Sequence, residues 1–221
     1  MDEHSSSDIA SQLAALKPGS HLCFFYRSQT EKLGVLEPFL RQGLDKGEKV
    51  IYVLNDMSSL ADVATCSCEP GQLQNWLSIG QMKVLNAQEV YLDGGVFSAE
   101  KMIAKWQKEC ELALSEGYPA LRAAAEMDWA LGTTPLEELT RYEWLVEDLF
   151  HRFPVIGLCQ YDLRRFAEPY AAHQLLAHPW VVARNQAVVN RFYPRAEAPQ
   201  SLERAPADFS SLLDSVLQST A

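Results

Sequence analysis

Ser20 to Asp56 reads SHLCFFYRSQTEKLGVLEPFLRQGLDKGEKVIYVLND, and its hydrophobic period changes twice. His21 to Tyr26 is a compact apolar run of strand length. From Thr30 to Lys46 the apolar residues Leu33, Val35, Leu36, Phe39, Leu40 and Leu44 fall on one helical face, and Gly47 supplies a stop. EKVIYVLND is then a second strand, rich in β-branched and aromatic residues. Strand, helix and strand in this order predict a parallel pair joined by a right-handed crossover.

Downstream the alternation continues. Ser58 to Ala64 and Gln72 to Ile79 read as short helices, MKVLNA as a third strand, and Ser98 to Glu116 as a long helix with Met102, Ile103, Trp106, Cys110 and Leu114 inward. PALRAAAEMDWAL holds a fourth strand, Leu136 to Arg152 a helix, and PVIGLCQYD a fifth strand, apolar enough to be buried on both faces. After a short helix, Pro169 to Ala177, WVVARNQAVVNRFYP has two strand-like runs around Arg184, Asn185 and Gln186, the pattern of a hairpin. The fold class is therefore α/β: a doubly wound, mostly parallel sheet flanked by helices, with a C-terminal β-hairpin. We divide the chain into an N-terminal extension (1–18), one domain (19–193), and a linker with a short amphipathic tail (194–221).

Nineteen basic and 29 acidic side chains give a formal net charge of -10, which disfavours direct contact with nucleic acid or an anionic membrane. No apolar run is long enough to span a bilayer, and the start, MDEHSSSDIA, lacks the basic-then-apolar pattern of a signal peptide, so a cytoplasmic location is expected. The cysteines, Cys23, Cys66, Cys68, Cys110 and Cys159, are odd in number and read as reduced thiols. Cys66 and Cys68 form a C-x-C with no second pair at zinc-site spacing.

HLCFFY (His21 to Tyr26), EKVIYVLND, AEMDWAL (Ala125 to Leu131), GLCQYD (Gly157 to Asp162) and the closing HP and NRFY together resemble the MEDS family, the methanogen and methylotroph sensory domain. The resemblance runs from about Gly19 to Tyr193. It implies a divergent RecA/KaiC-like fold serving as a sensory module for small hydrocarbon derivatives, coupled to a DNA-binding or histidine-kinase partner. The tail is then a natural contact for such a partner, and its stripe Phe209, Leu212, Leu213, Val216 and Leu217 is also a candidate surface for a homo-oligomer.

In a RecA-like fold, the loop after the first strand would read G-x-x-x-x-G-K-[ST], with backbone N–H groups and the lysine cradling phosphate. Here that register holds Tyr26 to Leu33, and only Lys32 matches. Both glycines are replaced, by Tyr26 and Glu31, and Leu33 stands where a magnesium-binding hydroxyl is needed. We therefore expect no enzyme activity and no required cofactor. Glu126 and Asp128 read as strand-end carboxylates facing solvent or pairing with Arg122 or Arg141, rather than as a catalytic pair.

Ligands in doubly wound sheets collect outside the carboxyl ends of the strands. The ends of the first, fourth and fifth strands supply Cys23, Phe25, Tyr26, Glu126, Trp129, Cys159, Tyr161 and Asp162, and His21 shares the face of Cys23 two residues earlier; we take these nine as candidates to line one pocket for a small apolar ligand. His21, Cys23, Cys159 and His178 are also candidate metal ligands, because imidazole and thiolate suit zinc, copper or iron. The leading expectation is a small-molecule sensory domain acting through a separate signalling or transcription partner. The alternatives are a metal- or redox-sensing module built on His21 and Cys23, and an interaction protein with a vestigial nucleotide fold and no ligand.

Overall fold

The computed structural model describes residues 3–57, 71–92, 95–194 and 208–218. The C-x-C cysteines, the helix expected at Ser58 to Ala64 and the linker after Pro194 lie outside the described residues. Among the described residues seven strands form one sheet: β1 (His21–Tyr26), β2 (Lys49–Leu54), β3 (Met82–Asn86), β4 (Leu121–Glu126), β5 (Val155–Asp162), β6 (Trp180–Ala183) and β7 (Gln186–Val189). Their spatial order is β3-β2-β4-β5-β1-β6-β7, with every pair parallel except β6 and β7. The pair expected of the first two strands is corrected: β1 and β2 are parallel but separated by β4 and β5, because the apolar period of a strand does not select its neighbour. β1, β2, β4 and β5 are buried at every position, as their continuous apolar runs require.

One face of the sheet is covered by α1 (Glu3–Ala14), α2 (Gln29–Asp45) and α3 (Gln72–Ser78), and Leu22, Phe24 and Tyr26 point into it. The other carries α4 (Ala87–Tyr91), α5 (Ala99–Ser115), α6 (Leu136–Arg152), α7 (Glu168–Ala177) and α8 (Phe209–Leu217), and receives Cys23 and Phe25. Alternation along β1 thus divides its side chains between two separate cores.

The segments read as an extension and a tail are both built into these cores. Ile9, Leu13 and Leu16 are buried against α2 and the sheet. The stripe taken as an oligomer surface is used inside the chain: Phe209, Leu213, Val216 and Leu217 are buried, and the ring of Phe209 meets Phe25 edge-on at 5.0 Å. The expectation of an exposed tail stripe is corrected accordingly, since an apolar stripe in a helix does not say whose core it enters.

β6 and β7 turn through Arg184 and Asn185, both in the left-handed region (φ 49° and 59°), with Ala183 paired to Gln186. This is the two-residue hairpin expected from the sequence. Arg184 ties the turn to α8 through Asp214 at 2.6 Å.

Candidate functional site

β1 and β5 run side by side with His21 opposite Gly157 and Cys23 opposite Cys159. Phe150 of α6 lies over Gly157, where an added Cβ would meet the ring at 2.5 Å. The same ring sits 5.0 Å from the His21 imidazole, so the glycine lets α6 approach the sheet closely enough for its polar side chains to reach β1. Gly157→Ala is expected to cost about 1–3 kcal/mol by displacing Phe150. Urea denaturation checks this, and a stability within about 0.5 kcal/mol of wild type would show that the ring has room to move.

Beneath α6 and α7, four buried side chains converge. His21, Glu143, Cys159 and His178 each present one donor atom, and these atoms lie within 4.8 Å of one another. Glu143 Oε2 is 3.3 Å from His21 Nε2, 3.5 Å from His178 Nε2 and 3.7 Å from the Cys159 sulfur. The Cys159 sulfur is 3.6 Å from His21 Nε2. A surrounding layer holds these groups in place. His21 Nδ1 meets Glu147 Oε2 at 3.2 Å, His178 Nδ1 meets the Gln174 carbonyl at 2.7 Å, and the Tyr161 hydroxyl donates to Glu143 Oε1 at 2.9 Å. His178 Nε2 makes no hydrogen bond although fully buried.

Burial by itself would favour neutral His21, but hydrogen bonds to Glu143 and Glu147 outweigh it and raise its pKa to about 9. Burial likewise disfavours the Glu143 carboxylate, yet the His178 and His21 imidazoles beside it hold its pKa below the usual range. His178 is shifted down, by burial and then by the charge on His21. The Cys159 and Cys23 thiols are both pushed up by burial and by the Glu143 charge. The cluster is therefore a buried ion pair with a neutral imidazole and a protonated thiol beside it.

The sequence pointed to three of these four residues. Of the proposed metal ligands, Cys23 stands apart, its thiol 3.5 Å from the Trp180 carbonyl. Glu143 takes its place in the cluster. It was legible in α6, because Glu143 and Glu147 fall four and eight residues after Leu139, inside the stripe formed by Leu139, Tyr142, Val146 and Phe150. Carboxylates within an apolar stripe must find partners in the core.

Next to the cluster lies an apolar cavity of about 30 Å³ between β4, β5 and the helices α5 and α6. Its floor is made of small residues, Ala123, Ala125 and Gly157, and its walls include Trp106, Tyr142, Phe150 and Cys159. Trp106 donates to the Tyr142 hydroxyl at 2.8 Å, which fixes both rings. Cys159 belongs to both the cavity wall and the polar cluster.

The nine candidate residues do not line one pocket. His21, Cys23, Phe25, Trp129, Cys159 and Tyr161 are on the α5–α8 face, with Trp129 stacked on Tyr91 at 4.2 Å beyond the end of β4. Tyr26 is on the α1–α2 face. Glu126 is there as well, bound by Lys32 of α2, by the Tyr52 hydroxyl at 2.8 Å and by the Asn55 amide at 2.8 Å. Asp162 is held by Arg164 Nε at 2.8 Å. Strand alternation enforces this split.

The partners expected for the strand-end carboxylates also differ. Lys32 takes Glu126, Arg165 takes Asp128, Arg122 is buried with Glu48 at 2.6 Å, and Arg141 pairs with Glu100 on the surface. At the start of α2, Ser28 Oγ accepts the Glu31 amide at 3.1 Å while Glu31 Oε2 accepts the Arg27 amide at 2.8 Å. The first turn of α2 is thus capped by its own side chains, and Lys32 is paired with Glu126.

A parallel sheet of this order, flanked on both faces by helices, is the RecA-like α/β arrangement. The crystal structure of flagellar accessory protein FlaH from Methanocaldococcus jannaschii has a similar fold, with a TM-score of 0.54 over 80% of this chain and 79% of that one; at 9% sequence identity the likeness is one of fold. Residues 20–179 match the family model described as MEthanogen/methylotroph, DcmR Sensory domain, and the chain belongs to this MEDS family. Its relatives include the transcriptional repressor DcmR of Methylorubrum extorquens strain DM4, 29% identical over 167 residues. That match covers 72% of this chain and 57% of the repressor, so the chain spans little more than half of the relative's length. Among the described residues no helix is long and apolar enough to cross a membrane.

Proposed function

We propose that this MEDS domain senses a small apolar molecule, of the size of a one- or two-carbon hydrocarbon derivative, and reports its presence to a separate transcription or signalling partner. The cavity under Trp106, Tyr142 and Phe150 carries this reading. Its floor is built from alanines and a glycine where larger residues would fill the space, and the adjoining Cys159 places a polarisable group at its edge. Its size suits a guest of very few heavy atoms, since about 10–15 Å³ by this measure holds one water. The regulatory role is supported by the family and by the repressor among the relatives.

On the other face, the fold reads as a nucleotide-binding one turned to a different use. Lys32 is committed to Glu126 and the start of α2 is closed by Ser28 and Glu31, which supports a reading without nucleotide hydrolysis. ATP turnover by the wild-type chain that disappears in Lys32→Ala would contradict this part of the proposal.

A thermal-shift series with chlorinated methanes, short alcohols and methylated amines tests the ligand reading. A ligand at a hundred times its Kd stabilises by about 2.7 kcal/mol, which raises the melting temperature by several degrees. Ala123→Val, which fills the cavity floor, should abolish that response while changing the basal stability by about 1–2 kcal/mol. If no small molecule raises the melting temperature, a ligand-free interaction protein becomes the better reading.

A further inference from the structure

We infer that His21, Glu143, Cys159 and His178 form a binding site for one divalent transition-metal ion of the zinc class. The donor set contains two imidazole nitrogens, a carboxylate oxygen and a sulfur, each of a type that binds zinc. Bonds of about 2.0 Å to nitrogen and oxygen and about 2.3 Å to sulfur give a tetrahedron with edges of roughly 3.3–3.6 Å. Four of the six separations among these atoms, 3.3, 3.5, 3.6 and 3.7 Å, come close to that figure, and all six are within 4.8 Å, so a small inward shift of His178 completes the tetrahedron.

The surroundings match a metal site independently of those distances. Both histidines direct Nε2 into the cluster and engage Nδ1 outside it, His21 with the Glu147 carboxylate and His178 with the Gln174 carbonyl. This is the outer layer that fixes the tautomer and raises the basicity of metal-bound histidines. The Tyr161 hydroxyl steadies the second oxygen of Glu143 in the same way. His178 Nε2 is buried and faces Glu143 Oε2 at 3.5 Å without forming a well-aligned hydrogen bond, a position that a bound ion between the two would satisfy.

Charge favours a divalent ion. Cys159 binds as the thiolate and His21 as the neutral imidazole, so two protons leave for solvent as the ion enters; thiolate and Glu143 carboxylate together then cancel the charge of the ion, and the two neutral imidazoles add none. A thiolate and two imidazoles select zinc, cobalt or iron over magnesium and calcium, which prefer oxygen. The ligands come from β1, α6, β5 and the end of α7, so the ion would fasten two helices to the sheet. This inference holds whether or not a small molecule enters the neighbouring cavity.

The test uses the full chain, stripped with a chelator and then titrated with zinc or cobalt(II). We expect one equivalent of zinc per chain to survive dialysis and raise the melting temperature. Cobalt should give a thiolate charge-transfer band in the near ultraviolet and the strong visible bands of four-coordinate cobalt. Cys159→Ser should remove the charge-transfer band, and His178→Gln should weaken zinc binding by at least about 100-fold. Circular dichroism establishes that each variant is folded. The double variant Cys66→Ser/Cys68→Ser serves as the control, because the C-x-C pair is a second place where two thiolates could hold an ion, and it should retain both metal and band. A wild-type chain that takes up no zinc overturns the inference, and so does metal binding that is lost in the double variant but kept in Cys159→Ser.

Discussion

Replacing Lys32 by Met will destabilise the chain by about 3–5 kcal/mol, the cost of leaving a buried carboxylate without its counter-charge. Lys32 and Glu126 are 6% exposed each, and the pair lies between α2 and the end of β4. The Tyr52 hydroxyl and the Asn55 amide remain on Glu126 in the variant, which places the loss toward the lower end of that range. The double change Lys32→Met/Glu126→Gln removes both charges, keeps a carbonyl oxygen for the Asn55 amide and turns an amino group toward the Tyr52 hydroxyl, which can accept it, so it should recover to within about 1–2 kcal/mol of wild type. Urea denaturation of the four proteins of this cycle measures the coupling. A single variant within about 1 kcal/mol of wild type would mean that water or another cation reaches Glu126.

Phe209→Ala should cost about 3–5 kcal/mol, the usual range for a large aromatic removed from a core. Phe209 is 1% exposed and packs edge-to-face on Phe25, so this one side chain seats α8 against β1. Removing 208–221 should cost more, because Leu213, Val216 and Leu217 leave the core together and uncover Phe25. Analytical ultracentrifugation of the shortened chain checks the corollary: the newly exposed face should promote self-association, opposite to a tail that itself joins protomers. Truncated protein that stays monomeric with wild-type stability would show that α8 contributes little to the core.

The architecture was largely legible because each element carries its own period. Ser20 to Asp56 held two strands of one parallel sheet and the helix between them, though not their neighbours, since β4 and β5 lie between β1 and β2; Arg184-Asn185 between two β-branched runs marked the hairpin. The site was legible only in part. That Tyr26 opposes Cys23 and Phe25 follows from counting along β1, but whether Glu126 and Asp162 share the face of His21 depends on the register between strands, which comes from tertiary pairing. Glu143 was overlooked because a glutamate in a long helix is usually solvated, and its place in the apolar stripe was the available warning. The apolar stripe of α8 was visible, but its destination in the core of the same chain was not.

The last strand also bears on how the protein behaves at high concentration. A sheet margin offers unpaired amide and carbonyl groups to any other extended chain and so invites fibrous association. β7 has only four residues, and the amide of Ala187 donates to the Gln12 side chain of α1 at 2.6 Å. The N-terminal helix thereby acts as a guard rail, spending a glutamine where a foreign strand would otherwise find its first foothold. Losing that helix would shift the hazard from unfolding to aggregation of chains that are still folded.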